Sequence, residues 1–281
     1  MKIAVSVEST NDLTKELLKE YDISVIPFQI TLGDKTFYDG EMSTEDLFKS
    51  VNKNGVLPKT NAINEYEYSE YFKKLKEKYD AVIHICLSSG ITSTTTNARA
   101  AAKNVGGVYI VDSLTLSTGI GLLAIYARKL AEKGIEPTEI ARIVQERTGA
   151  LQVSFVVERM DYLYKGGRCN GFQLLGANLL KIRPRIVLKN GKMLSDKKYR
   201  GDMNAVIAKY SKEIFTEFNT PDTDMVFVTY TSATPEMHDA AINACKERGF
   251  KNIYQTFAGG TIASHCGEHT LAIIYFNDGN R

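Results

Sequence analysis

Short apolar runs that favour strands alternate with segments of helical period through the first half of this chain, and that alternation leaves few architectures open. Ile3–Val7 leads into a helix start near Ser9 and Thr10, with Leu13, Leu17 and Leu18 at helical spacing. Ile23–Leu32 is rich in β-branched residues and passes through Gly33-Asp34-Lys35, a turn signal, into Thr36-Phe37-Tyr38, which predicts a hairpin. A helix over 65–78, a strand over 81–87, a helix ended by Gly106-Gly107 and a strand over 108–111 follow. A long helix then ends at Gly134, and Pro137 opens another, in the first-turn position where a missing N–H costs nothing. The pattern predicts an α/β fold with mostly parallel sheets flanked by helices.

The second half begins after the apolar run 152–157. Tyr162-Leu163-Tyr164-Lys165-Gly166-Gly167-Arg168 puts a cation behind a glycine pair, and a short apolar helix is expected over Phe172–Leu180. Ile186-Val187-Leu188, Asn190-Gly191 and Met193-Leu194 read as a hairpin, because Asn-Gly favours the positive φ angles of a type I′ turn. A helix over 203–218, a strand over 225–230, a helix from Thr234 with Pro235 in its first turn, and strands over 253–257 and 271–276 complete the chain. With 281 residues, the expected organisation is two α/β domains, 1–152 and 153–281.

The densest chemical signal lies where the 81–87 run ends. Ser88-Ser89-Gly90-Ile91-Thr92-Ser93-Thr94-Thr95-Thr96 holds seven hydroxyls in nine positions just before a helix-forming segment. An N-cap needs one or two such side chains. The excess points to a site where hydroxyls and backbone N–H groups converge on an anion.

Other patterns are weighed against their mechanics. Gly119-Ile120-Gly121-Leu122-Leu123-Ala124 matches G-x-G-x-x-A, but the dinucleotide fingerprint needs its glycines directly after a strand, and Asp112 to Thr118 intervenes. His265-Cys266-Gly267-Glu268-His269 spells H-x-x-E-H, a zinc pattern that requires one helical face, whereas the glycines around it predict a loop. Ser89, Asp112 and His265 stand in hydrolase order without a G-x-S-x-G elbow, leaving a serine acyl hydrolase as an alternative. No P-loop is present, so the chain itself shows no means of holding a nucleotide. Arg168 suits a bidentate anion contact or a structural carboxylate. Arg200, beside Lys197 and Lys198, reads as a surface cation.

Composition narrows the partners. A net charge of +2 without a long cationic run gives no electrostatic footprint for nucleic acid or an anionic membrane. Cys86, Cys169, Cys245 and Cys266 are scattered and read as reduced thiols. The strand-like start at Met1-Lys2-Ile3 and the shortness of the longest apolar stretch, 120–127, lead to an expectation of a cytoplasmic protein without membrane insertion.

Taken in order, the motifs resemble the DegV family of bacterial fatty-acid-binding proteins. The resemblance runs through Glu8-Ser9-Thr10-Asn11-Asp12-Leu13, Val25-Ile26-Pro27-Phe28, Asp39-Gly40, Thr60, Ser88-Ser89-Gly90-Ile91-Thr92, Val111-Asp112-Ser113 with Ser117, Lys165-Gly166-Gly167-Arg168, Pro184, Arg200-Gly201, and Gly260-Thr261 with His265 and Gly267. It implies two α/β domains enclosing one long-chain fatty acid, with no further cofactor. It also implies a non-enzymatic role as binding subunit of a fatty acid kinase, whose ATP-binding subunit makes the acyl-phosphate. On this resemblance Thr60 and Thr92 contact the carboxylate within a polar network of Asn61, Ser88, Ser89, His265 and Arg168, and Arg200 docks the kinase subunit. Thr60-Asn61-Ala62-Ile63-Asn64 stands where the family reads T-S-x-P-S, and Glu268-His269 where it reads P-G, so a carrier of a different amphiphile is a further alternative.

Overall fold

The computed structural model describes residues 1–168 and 182–279; the helix expected over Phe172–Leu180 lies outside the described residues. The chain begins with β1 (Ile3–Glu8), α1 (Lys15–Glu20), capped by the Thr14 hydroxyl, and β2 (Ile23–Ile26). Pro27 breaks the apolar run that the sequence presents as one strand, and the chain leaves this sheet to form β3 (Gln29–Leu32) and β4 (Lys35–Tyr38). After α2 (Thr44–Asn54), the short β5 (Lys59–Asn61) joins them in a three-stranded antiparallel sheet. Then come α3 (Glu65–Lys76), β6 (Ala81–Cys86), α4 (Thr94–Val105), β7 (Val108–Asp112), α5 (Thr118–Glu132) and α6 (Pro137–Arg147).

Strands β1, β2, β6 and β7 pair in the order β2-β1-β6-β7, all parallel, as the alternation predicts. The order reverses between β1 and β6, so a crevice opens at the carboxyl ends of those two strands.

The second half contains β8 (Leu151–Val156), α7 (Asp161–Lys165), β9 (Ile182–Lys189), β10 (Lys192–Arg200), α8 (Met203–Glu217), β11 (Met225–Tyr230), α9 (Pro235–Glu247), β12 (Asn252–Phe257), α10 (Gly260–Cys266) and β13 (Leu271–Phe276). Its sheet has the order β10-β9-β8-β13-β11-β12, and only β11 and β12 run parallel. The expectation of mostly parallel sheets is therefore corrected for this half. A parallel pair needs a crossover, and β11–α9–β12 is the one between neighbours here; β13 instead inserts antiparallel between β8 and β11.

α5 is buried around nearly its whole circumference and packs against β1, β6 and β13, which joins the two sheets through one apolar cluster. Its glycines serve that packing: a Cβ on Gly121 would lie 2.6 Å from Leu13 Cδ2, and one on Gly119 2.6 Å from Thr115 Oγ1. The G-x-G-x-x-A match is thus a helix-packing feature. A second cluster lies between α8, α9 and the far face of the second sheet.

Candidate functional site

The ends of β1 and β6 are tied together by one buried acid. Glu8, the last residue of β1, accepts the Leu87 N–H at 2.7 Å and the Tyr68 hydroxyl, and Thr95 Oγ1 donates to the Leu87 carbonyl at 3.1 Å. The peptide groups on either side of Leu87 are therefore fixed where β6 turns into the hydroxyl-rich loop. Burial pushes the Glu8 carboxyl up to about 7, because desolvation outweighs these hydrogen bonds. Nearby, Ser6 and His84 Nδ1 are 2.8 Å apart, and Tyr68, Tyr71 and Phe72 surround the His84 ring. Glu8, His84 and Cys86 offer ligand-type atoms within 4.8 Å of one another. The carboxylate's hydrogen bonds and the ring's aromatic packing make this group a buried structural network.

Above it, a narrow cleft is lined by Phe28, Leu87, Ile91, Leu116, Leu163, Met193, Ile262 and Cys266, with Thr60, Thr92, Thr261, His265 and Arg168 as its polar members. Residues from both halves of the chain meet here. A larger outer cleft adjoins it, lined by Val56, Leu57, Lys59, Asn61, Lys165 and Ser264 among others. Thr60, His265 and Arg168 line both and so mark the junction.

At that junction Thr60 Oγ1 lies 2.8 Å from His265 Nε2. His265 occupies the last turn of α10, a helix where glycines at 259, 260 and 267 predict a loop. The helix forms because its N-terminal amides find carboxylates far away in sequence. Gly259 N–H donates to Asp12 at 2.8 Å, while Gly260 and Thr261 N–H donate to Asp39 at 2.8 and 3.2 Å. Burial drives the Asp12 carboxyl up to about 8 despite its bonds to Ser117 and Gly259. Burial, with Arg168 close by, holds His265 down at about 4, so the ring is neutral at pH 7. Among the described residues its Nδ1 has no hydrogen-bond partner.

The other expected site residues divide. Thr92 lines the inner cleft and Asn61 the outer one, where Asn61 donates to Thr31 Oγ1 at 3.2 Å. Ser88 and Ser89 are corrections. Ser88 is fully buried and donates to the Gly191 carbonyl at 2.7 Å, docking the β9–β10 hairpin, and neither serine lines the cleft. Part of the hydroxyl excess is thus a tether between the two halves. Ser89, Asp112 and His265 do not assemble as a triad: Asp112 Oδ1 accepts the N–H groups of Ser89 and Leu114, and His265 bonds Thr60. The two histidines of H-x-x-E-H likewise part, His269 Nδ1 lying 2.6 Å from Glu158. Glu268 accepts from Asn52 at 3.2 Å and lines neither cleft. Arg168 is exposed and donates to the Gly166 carbonyl at 2.6 Å, and Arg200 is exposed at the end of β10. Sequence reasoning missed Asp12 and Asp39 as supports of α10; their signal, an acid after a strand, is too common to single out.

An apolar cleft with one hydroxyl- and imidazole-lined end, at the switch point of a parallel sheet, defines an α/β protein built to hold an amphiphile. The family model of uncharacterised DegV proteins matches residues 2–278, and the chain belongs to the DegV family. A Thermotoga maritima protein named as a fatty acid-binding protein is 30% identical, covering 96% of each chain. The crystal structure of Bacillus subtilis DegV, described as a fatty acid binding protein, has a TM-score of 0.86 at 26% identity and covers 98% of this chain and 99% of its own. The Streptococcus pneumoniae fatty acid kinase (Fak) B3 protein, loaded with linoleic acid, shares the fold at a TM-score of 0.85 and 15% identity, covering 99% of this chain and 100% of its own.

Proposed function

We propose that this protein is a non-enzymatic, cytoplasmic carrier of one long-chain fatty acid, with residues 1–152 and 153–281 forming two domains that hold the ligand between them. The tail lies in the inner cleft, and the carboxylate lies at the junction, against Thr60, Thr92, His265 and Arg168. The observation that carries this reading is the division of one cleft into an apolar body and a polar mouth. Burying ~16 carbons at about 0.8 kcal/mol each gives on the order of 12 kcal/mol gross, before ordering and association costs. The tail supplies affinity. A carboxylate taken from water must recover its hydrogen bonds, which the neutral hydroxyls supply, with the Arg168 guanidinium as its counter-charge. The head group supplies orientation.

The fold shared with the fatty acid kinase B3 protein supports a partner role. A separate ATP-binding subunit, docked at Arg200, brings the nucleotide. A carboxylate oxygen forms a bond to the γ-phosphorus, the bond to the β-phosphate oxygen breaks, and ADP departs with its electron pair. No helix among the described residues is long and apolar enough to cross a membrane.

Native mass spectrometry of the purified protein tests the reading. One co-purified fatty acid per chain is expected, and the Thr60→Val/Thr92→Val double variant, well folded by circular dichroism, is expected to bind palmitic acid at least about tenfold more weakly. Unchanged affinity in that variant would remove these residues from the site.

A further inference from the structure

A carboxylate at the junction engages Thr60, Thr92, His265 and Arg168 and leaves Thr261, the remaining polar residue of the inner cleft, without a role. Thr261 lines the inner cleft and not the outer one, so it stands farther from the mouth than His265, which lines both. It is 3% exposed, and its hydroxyl has no hydrogen-bond partner among the described residues. The Thr261 N–H is engaged, donating to Asp39 at 3.2 Å, so the side chain alone is orphaned. The rest of the wall is apolar, with Phe28, Leu87, Leu116 and Ile262 among its members. A buried hydroxyl without a partner is costly to a fold, and a plain methylene chain laid against Thr261 leaves that cost in place.

Thr261 and His265 are one helical turn apart on the same face of α10. Their spacing is about 6 Å along the helix axis, at about 1.5 Å per residue, or about four carbon–carbon bonds of about 1.5 Å. We infer that the cargo is a hydroxylated fatty acid, whose chain hydroxyl, on about the third to fifth carbon, pairs with Thr261 in the inner cleft. The inference rests on the carrier reading and deepens it from fatty acids at large to one class of them. A hydroxyl is the group that fits, because Thr261 Oγ1 can donate or accept and a second hydroxyl answers in either sense. A site whose polar group waits for a partner rejects the analogue lacking it far more strongly than an apolar pocket rejects an added hydroxyl.

Isothermal titration of the full-length protein, stripped of bound lipid, with palmitic acid and its 3-hydroxy, 5-hydroxy and 16-hydroxy derivatives provides the test. The tighter of the 3- and 5-hydroxy acids is expected to bind about tenfold more strongly than palmitic acid, and the 16-hydroxy acid no more strongly than palmitic acid. Thr261→Val keeps the shape and removes the orphaned group. It is expected to erase the preference while holding palmitic acid within about twofold of the parent. Thr261→Ser retains a hydroxyl and is expected to retain the preference. A parent that binds all four acids alike or favours the 16-hydroxy acid, or a preference that survives Thr261→Val, would overturn the inference and leave the carrier reading standing. Palmitic acid affinity that falls in Thr261→Val as far as hydroxy acid affinity would place Thr261 with the head group and overturn it likewise. A parent that takes up none of the four would overturn the carrier reading and the inference together.

Discussion

Glu8 makes the stability of this protein depend on pH in a direction that can be calculated. Its carboxyl is held at about 7 by burial, against an ordinary value of 4.5. The folded state therefore keeps a proton that the unfolded state gives up, and stability falls as pH rises from 4.5 through 7. At about 1.36 kcal/mol per pH unit, the loss is about 3 kcal/mol and is complete above the folded value. Glu8→Gln removes the titration and keeps the shape. The Gln carbonyl can accept from Leu87 N–H, and its amide can donate to the Tyr68 hydroxyl oxygen, the two partners Glu8 has now. Urea unfolding of both proteins at intervals from pH 4.5 to 8.5 isolates the effect, because every other titrating group is common to the two. The variant is expected to gain on the parent by about 3 kcal/mol across that range. A difference constant to within about 0.5 kcal/mol would refute the argument, since it would mean that Glu8 ionises alike in the folded and unfolded chain.

Two further substitutions probe how the halves are joined. Asp39→Ala strands the Gly260 and Thr261 amides and the Ser9 hydroxyl at the head of α10; it is expected to cost about 2 kcal/mol in urea unfolding, with Asp39→Asn intermediate. Gly90→Ala would place a Cβ 2.4 Å from the Gly191 carbonyl oxygen, backbone that cannot swing aside. A loss of about 1–3 kcal/mol is expected by thermal melting, partly relieved by shortening the β9–β10 hairpin.

The sequence announces the elements whose stability is local. Strands β6, β11 and β13 are apolar runs that begin and end within a residue of their reading, and the Asn190-Gly191 turn takes positive φ at both residues, 50° and 76°, as a type I′ hairpin demands. What stays hidden depends on distant partners. α10 reads as a loop because its amides are satisfied by Asp12 and Asp39, more than 200 residues away. Strand direction in the second sheet is set by which edges meet, and no periodicity encodes that. The site follows the same rule. Thr92 stands out because hydroxyls before a helix are conspicuous, yet Ser88 carries the same signal and spends it on Gly191.

The seam between the two halves is stitched by Ser88 to Gly191, by Asp12 and Asp39 to α10, and by the apolar cluster around α5. A seam closed at that many points does not gape like a jaw. For a carrier built this way, loading becomes threading: the tail slides in first along the cleft axis and the head follows last. The reactive end of the cargo then stays at the doorway while the greasy remainder is shielded, and departure retraces the path, slower for every added methylene that must be drawn back into water.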